Sequence, residues 1–409
     1  MDQFDVTIVG AGIVGLATAM LLGKRHPQIK ILVLEKEKKI AQHQSSHNSG
    51  VIHSGIYYKP GSVKAEACVA GRRQLIQFLE ENDIPYETCG KVIVATEEEE
   101  LPRLEELLRR GEENGVPGLR TLDPAQLKEI EPFAYGIRAL HVPGTGIVDF
   151  GRVAAAYAQK VIQAGGRIET GEEVTRAAPV KEALTITTAA RQYRSRYLIN
   201  CGGLFSDRIA KTVMDIAPGN KQEPDTRILP FRGEYYKIVP ARAFLVKNLI
   251  YPVPDPRFPF LGVHFTRTIH GEVEAGPNAV LALAREGYRR QDFNARDVGE
   301  MIAFRGFWHM VSKYWQTGIE ELYRSTRKQA FVRALQRLMP QIQPSDLEPG
   351  GSGVRAQAVS EQGNLFDDFV IRKTPRCIHV INAPSPAATS SLAIGKWIVD
   401  TAAEIFDLN

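Results

Sequence analysis

Apolar and polar positions along this chain follow two periods. Val6-Thr7-Ile8-Val9 and Ile31-Leu32-Val33-Leu34 are short aliphatic runs without a polar face, the pattern of strands covered on both sides. Between them residues 16–24 read as a helix. Residues 64–82, with Leu75, Ile76, Phe78 and Leu79, and residues 149–164, with Val153, Tyr157 and Val161, carry the helical period. Gly165-Gly166 closes the second of these helices. Residues 91–96 predict a strand and 97–114 a strongly charged helix with a solvated face. Asp123-Pro124 is an N-cap followed by proline at the first helical position. Short strands are expected at 167–170, 174–178, 184–188 and 193–200. Leu261 to Arg267 alternates as a half-buried strand does. A last strand at 378–382 leads to a final helix over 392–405.

The junction of the first strand and helix carries the first chemical signal. Gly10-Ala11-Gly12-Ile13-Val14-Gly15 fills the turn, and Glu35, followed by Lys36, ends the second strand. Strand, glycine turn, helix, strand and terminal acid together form a dinucleotide fingerprint. Gly10 allows the tight turn, Gly12 lets a pyrophosphate approach the backbone, and Gly15 lets the helix pack on the sheet. The helix N-terminus holds phosphate, and Glu35 stands where an acid takes ribose hydroxyls.

Three later segments return towards such a cofactor. Ser45-Ser46-His47-Asn48-Ser49-Gly50-Val51-Ile52-His53 is small, polar and interleaved with histidine. The 193–200 strand runs into Cys201-Gly202-Gly203 before a helix, with Val174 on a neighbouring strand. Pro349 to Gln357, with Gly353, reads as a glycine-rich loop before the last strand. Ser385, Thr389 and Ser390 then open the final helix. A helix start of small residues suits the N1–C2=O edge of a flavin, which becomes negative on reduction. That favours FAD over NAD, and no second G-x-G-x-x-G serves a nicotinamide. No attachment residue is evident, so the FAD is expected to be non-covalent.

The fold class expected is α/β (α+β mixed): a Rossmann-like FAD/NAD(P)-binding domain with a central parallel sheet, and a substrate domain with a mixed antiparallel sheet and helices. The first would be assembled from residues 1–85, 147–223 and 341–409, the second from 86–146 and 224–340. A length of 409 residues suits two domains. A net charge of +4 gives no support to nucleic-acid binding. Cys68, Cys89, Cys201 and Cys377 are scattered and read as reduced thiols of a cytosolic protein. No targeting peptide is expected before the first strand, no apolar run reaches the about 18 residues of a membrane span, and no metal-ligand pattern is found. Beyond Asp297 the chain mixes Phe304, Phe307, Trp308, Tyr314 and Trp315 with basic residues. A helical layer packed on the substrate sheet is the favoured reading, and a membrane-surface face the alternative.

These segments resemble the D-amino-acid-oxidase type of FAD-dependent oxidoreductase. Within it, His47 to Tyr58, Phe231-Arg232-Gly233-Glu234-Tyr235 and Gly262-Val263-His264-Phe265-Thr266 resemble the L-2-hydroxyglutarate oxidase/dehydrogenase family. The resemblance spans essentially the whole chain. It implies oxidation of L-2-hydroxyglutarate to 2-oxoglutarate, with electrons passed to quinone, oxygen or another acceptor. It also implies peripheral contact with the cytoplasmic side of the inner membrane.

Removing a hydride from a hydroxyl-bearing carbon also requires a base for the hydroxyl proton, and histidine is the default. His53 and His264 are the candidates, with Tyr57 or Tyr236 to hold the hydroxyl. A dicarboxylate calls for arginine: Arg355 in the glycine-rich loop is the first choice, then Arg232 and Arg267. Glycerol-3-phosphate dehydrogenase and amino-acid or amine oxidase are the alternatives within the superfamily. A non-catalytic or RNA-modifying flavoprotein is the alternative of another class.

Overall fold

The computed structural model describes residues 2–214, 226–255 and 261–408. The boundary expected at 223/224 falls outside these residues.

Five parallel strands form the centre of the first sheet, in the order Arg167–Thr170, Ile31–Glu35, Gln3–Val9, Gln192–Asn200, Cys377–Asn382. The antiparallel strands Val174–Val180, Ala183–Thr188 and Val370–Lys373 complete it. Parallel strands must be covered on both faces, and Ile31–Glu35 is buried at every position. Helices Ile13–Arg25, Phe150–Gln163 and Ser391–Ile405 pack their apolar stripes there. Leu16, Leu22 and Ile398 are fully buried, each worth about 1.5–3 kcal/mol. The caps follow the sequence: Asp149 accepts from Gly151 and Arg152 N–H, and Asp123 forms a capping box with Gln126.

The second sheet has nine strands and is mostly antiparallel, with one parallel pair, Leu249–Pro252 beside Lys91–Ala95. Its two longest strands, Arg227–Ile238 and Leu347–Val359, pair along most of their length. This corrects the glycine-rich loop expected at 349–357: those residues are strand. The glycines are there for proximity. A Cβ on Gly350 would stand 2.8 Å from the Tyr235 carbonyl oxygen, and one on Gly353 2.5 Å from that of His47. A glycine-rich strand marks the close approach of other backbone.

Candidate active site

A cavity of about 520 Å³ opens where the parallel strands end and the second sheet begins. It is lined by the carboxyl ends of Gln3–Val9, Ile31–Glu35, Gln192–Asn200 and Cys377–Asn382, where ligands of open α/β sheets bind. Phe231, Gly233, Tyr235, Gly353 and Arg355 form the opposing wall.

One end is built from glycine backbone. Gly10, at φ +104°, brings its carbonyl so close to Gly15 that a Cβ there would stand 2.0 Å from it. A Cβ on Gly10 itself would stand 2.5 Å from the Cys201 carbonyl oxygen. Gly12 caps the helix without a side chain, and Ile13 N–H donates to Ser45 Oγ at 2.9 Å. Glu35 is buried and fixed by backbone: its carboxylate accepts from Ala11 N–H at 2.8 Å and Glu37 N–H at 3.0 Å. Ile13, Val14, Lys36, Ser45, Asn48, Ser49, Val51, Val174, Cys201, Gly202 and Gly203 all line this cavity. Gly15 supports the turn from below, and Gly50 and Ser46 lie outside the lining, against Val148 and Gly151. Lys36 forms ion pairs with Glu37 and Glu286, and His43 meets both acids. Glu37, His43 and Glu286 are spaced as metal ligands could be, but the Lys36 ammonium already pairs with both carboxylates.

The other end is cationic. The lining acids, Glu35, Glu172 and Glu173, gather at the glycine end, where Glu172 N–H bonds the Glu35 carbonyl. His53 and Arg355 line the opposite end together with Tyr235, Ser385 and Thr389. Thr389 Oγ1 lies 3.1 Å from His53 N and 3.3 Å from the Val51 carbonyl oxygen, which ties the final helix start to the histidine segment. Ser390, its neighbour, is buried outside the lining. Burial and the nearby Lys91 charge lower the His53 pKa to about 3. His264 sits one layer back, its Nδ1 2.8 Å from the Gly262 carbonyl oxygen and its ring stacked on Tyr251 at 3.9 Å. Burial brings it to about 4. Both imidazoles are therefore neutral at pH 7. Burial also lowers the pKa of Arg355 from the usual guanidinium value.

Lys91 belongs to this cluster and was not expected there. It is 1% exposed, and its ammonium lies over the rings of Tyr57 and Tyr251, at 4.3 and 4.9 Å. Cation–π contacts return about 2 kcal/mol when desolvated, less than the several kcal/mol lost in burying an ammonium. Burial accordingly brings its pKa down to about 7. The signal was present in the sequence: in Lys91-Val92-Ile93-Val94-Ala95 the lysine is in phase with Ile93 and Ala95, two core positions.

Three expected substrate residues stand elsewhere. Along the strand Arg227–Ile238 the cavity takes Phe231, Gly233 and Tyr235, so the alternate residues Arg232 and Tyr236 point away. Arg232 is paired with Glu234 at 3.0 Å and donates to the Arg289 carbonyl oxygen, and the Tyr236 ring packs on Phe331. Arg267 pairs with Glu87 and donates to the Lys247 carbonyl oxygen, away from the cavity. Arg232 and Tyr236 have the opposite parity to the cavity-lining residues: the side facing the cavity carries Tyr235. Tyr57 lies beside Lys91 outside the lining, its hydroxyl buried without a hydrogen-bond partner.

Residues 5–401 match the family described as FAD dependent oxidoreductase. The chain belongs to that family. FAD is its cofactor, and the glycine end fits it: a backbone cradle that a Cβ would fill, a helix start without a side-chain cap, and a fixed acid. The L-2-hydroxyglutarate dehydrogenase of Indibacter alkaliphilus is 52% identical over 99% of this chain and 100% of that protein. The mitochondrial L-2-hydroxyglutarate dehydrogenase of Homo sapiens is 47% identical over 100% of this chain and 90% of its own length. Among solved structures, the FAD-bound L-alpha-glycerophosphate oxidase of Mycoplasma pneumoniae aligns with a TM-score of 0.78 at 21% identity, over 97% of this chain and 94% of that one. The glycine oxidase of Geobacillus kaustophilus aligns with a TM-score of 0.73 at 18% identity, over 99% and 95%. These two share the fold.

Proposed function

We propose that this oxidoreductase converts L-2-hydroxyglutarate to 2-oxoglutarate. The observation that carries the reading is the buried Arg355 guanidinium, which lines the cavity with the neutral His53 while the lining acids stand at the other end. Relatives named for that substrate, similar over the whole chain, support it.

Arg355 is the anchor for one carboxylate; a guanidinium matches a carboxylate through two parallel hydrogen bonds. His53, neutral at pH 7, accepts the proton of the 2-hydroxyl, and Thr389 fixes the backbone that carries it. His264, one layer back, supports this arrangement and is the alternative base. When bound, FAD supplies the acceptor for the hydride leaving the substrate's Cα. Gly10, Gly12, Gly15, Glu35 and the segments around Ser45, Cys201 and Ser385 are the residues that would hold it. In this reading the stretches 1–85, 147–223 and 341–409 supply most of the nucleotide site and the intervening ones most of the substrate wall, with Gly353 and Arg355 reaching across in sheet pairing with Phe231 and Gly233.

Electrons then leave for an acceptor such as a quinone. We place the contact with a membrane surface on the helix Arg305–Thr326. Phe307 and Met310 are buried inward; beyond a kink at Tyr314, Trp315, Ile319 and Leu322 are exposed along one stripe at four- and three-residue steps, and Trp308 is exposed before the kink. No helix among the described residues is long and apolar enough to cross a membrane. The reading is tested by supplying the FAD-loaded protein with L-2-hydroxyglutarate and an artificial electron acceptor and assaying 2-oxoglutarate. Formation of one product per two electrons taken up by the acceptor supports it, and no product at any substrate concentration overturns it.

A further inference from the structure

Two lysines are buried beside the histidine segment, and they differ. Lys64 Nζ donates to the Asp367 carbonyl oxygen at 2.8 Å and to its carboxylate at 2.9 Å. Lys91 has no hydrogen-bond or ion-pair partner among the described residues and rests only on two tyrosine faces. The one ionisable group that favours its charge is Cys68, whose thiol is pushed up to about 12 by burial and so brings no negative charge at pH 7. The hydroxyl of Tyr57, whose ring lies under the ammonium, is also buried without a partner among the described residues. An ammonium and a neighbouring hydroxyl left unsatisfied together constitute an environment suited to an anion. It lies next to His53, which lines the cavity and feels the Lys91 charge more than any other.

We propose that Lys91 is the second anion anchor of this cavity, taking the carboxylate of a dicarboxylic substrate that Arg355 does not hold. The proposal rests on the reading of the substrate as L-2-hydroxyglutarate and adds to it the origin of the preference for a second carboxylate. The four-carbon stem lets the ammonium swing from the tyrosine faces towards the cavity. The groups packed around it are Cys68, Tyr57, Tyr251, His53 and His264, and none carries a negative charge at pH 7. An entering carboxylate therefore meets no competitor and draws a proton onto Lys91.

The test uses the FAD-loaded protein and two non-reacting acids, glutarate and butyrate, with binding read from the flavin absorption spectrum. Wild-type protein is expected to prefer glutarate. Lys91→Met keeps the stem between the tyrosines and should weaken glutarate by roughly 10- to 100-fold, the range of a charge-assisted hydrogen bond, while butyrate changes by less than about threefold. Equal loss for both acids with FAD retained, or no loss for glutarate, overturns the proposal. A second measurement needs no variant. About one unit above its pKa, binding of glutarate should take up roughly one proton by calorimetry in two buffers, and butyrate much less. Equal uptake by the two acids overturns it. Binding is read without turnover, so a wild-type protein that prefers glutarate but is not reduced by L-2-hydroxyglutarate would contradict the substrate and leave the anchor standing.

Discussion

The two ends of the cavity recognise by opposite means. At the glycine end the contacts are backbone, supplied by strand ends and a helix start, and the essential property is the absence of side chains at Gly10, Gly12 and Gly15. At the cation end the contacts are side chains gathered from separate stretches: His53, Lys91, Tyr235, His264 and Arg355. The first end is rigid and pre-satisfied, with Ser45 and Glu35 already bonded to backbone. The second is held in a destabilised state, with its pKa values driven down by burial until an anion arrives. A nucleotide held throughout the catalytic cycle suits the first arrangement. A substrate that must bind and leave suits the second.

Substitutions should separate the ends. The largest effect is expected from Gly15→Val, whose Cβ would meet the Gly10 carbonyl oxygen at 2.0 Å. It should abolish FAD retention, measured as flavin absorbance per chain, and lower the melting temperature. A yellow, stable variant would refute the backbone account of this end. Next comes His53→Gln. With FAD retained, the rate of flavin reduction should fall roughly 100-fold or more, the lower range of general-base catalysis. His264→Gln should slow it less, and a larger effect there would exchange their roles. Arg355→Met follows, with substrate affinity reduced roughly 30-fold or more, as expected for truncating one member of a buried charge pair. Unchanged affinity would remove it as the anchor. The smallest effect belongs to Arg267→Ala, which breaks the pairing with Glu87 and the hydrogen bond to the Lys247 carbonyl oxygen, both away from the cavity, and should leave kcat/KM within about twofold.

The pH profile sharpens the same contrast. A histidine base with a pKa lowered to about 3 stays unprotonated, so kcat/KM for flavin reduction should show no acid limb near the ordinary value of 6.5. An alkaline limb should begin near 7, where Lys91 loses its proton in the free enzyme. An acid limb at 6.5 would point to a base other than His53.

What was legible in the sequence follows from this difference. Gly10 to Glu35 is local: strand, turn, helix and acid lie within one contiguous stretch, and each residue's role follows from backbone geometry. Strand and helix positions in the parallel half follow from apolar periodicity for the same reason. The cation end depends on long-range pairing. Whether Arg232 or Tyr235 faces the cavity is decided by which side of the strand Arg227–Ile238 meets the first domain, and the strand's mixed pattern does not encode that side. Pro349 to Gln357 looked like a loop because glycine is rare in strands, and only the pressure of His47 and Tyr235 backbone explains why glycine is needed. Lys91 was the one readable departure, a charge in phase with a core face.

The most direct measurement mixes the FAD-loaded protein with L-2-hydroxyglutarate in the absence of oxygen and follows the visible flavin band, with D-2-hydroxyglutarate and glycerol 3-phosphate in parallel. Rapid bleaching by the L-enantiomer alone is the predicted result. A band that persists with the L-enantiomer, or bleaches equally with glycerol 3-phosphate, would contradict the assignment of the cation end to a dicarboxylic 2-hydroxy acid.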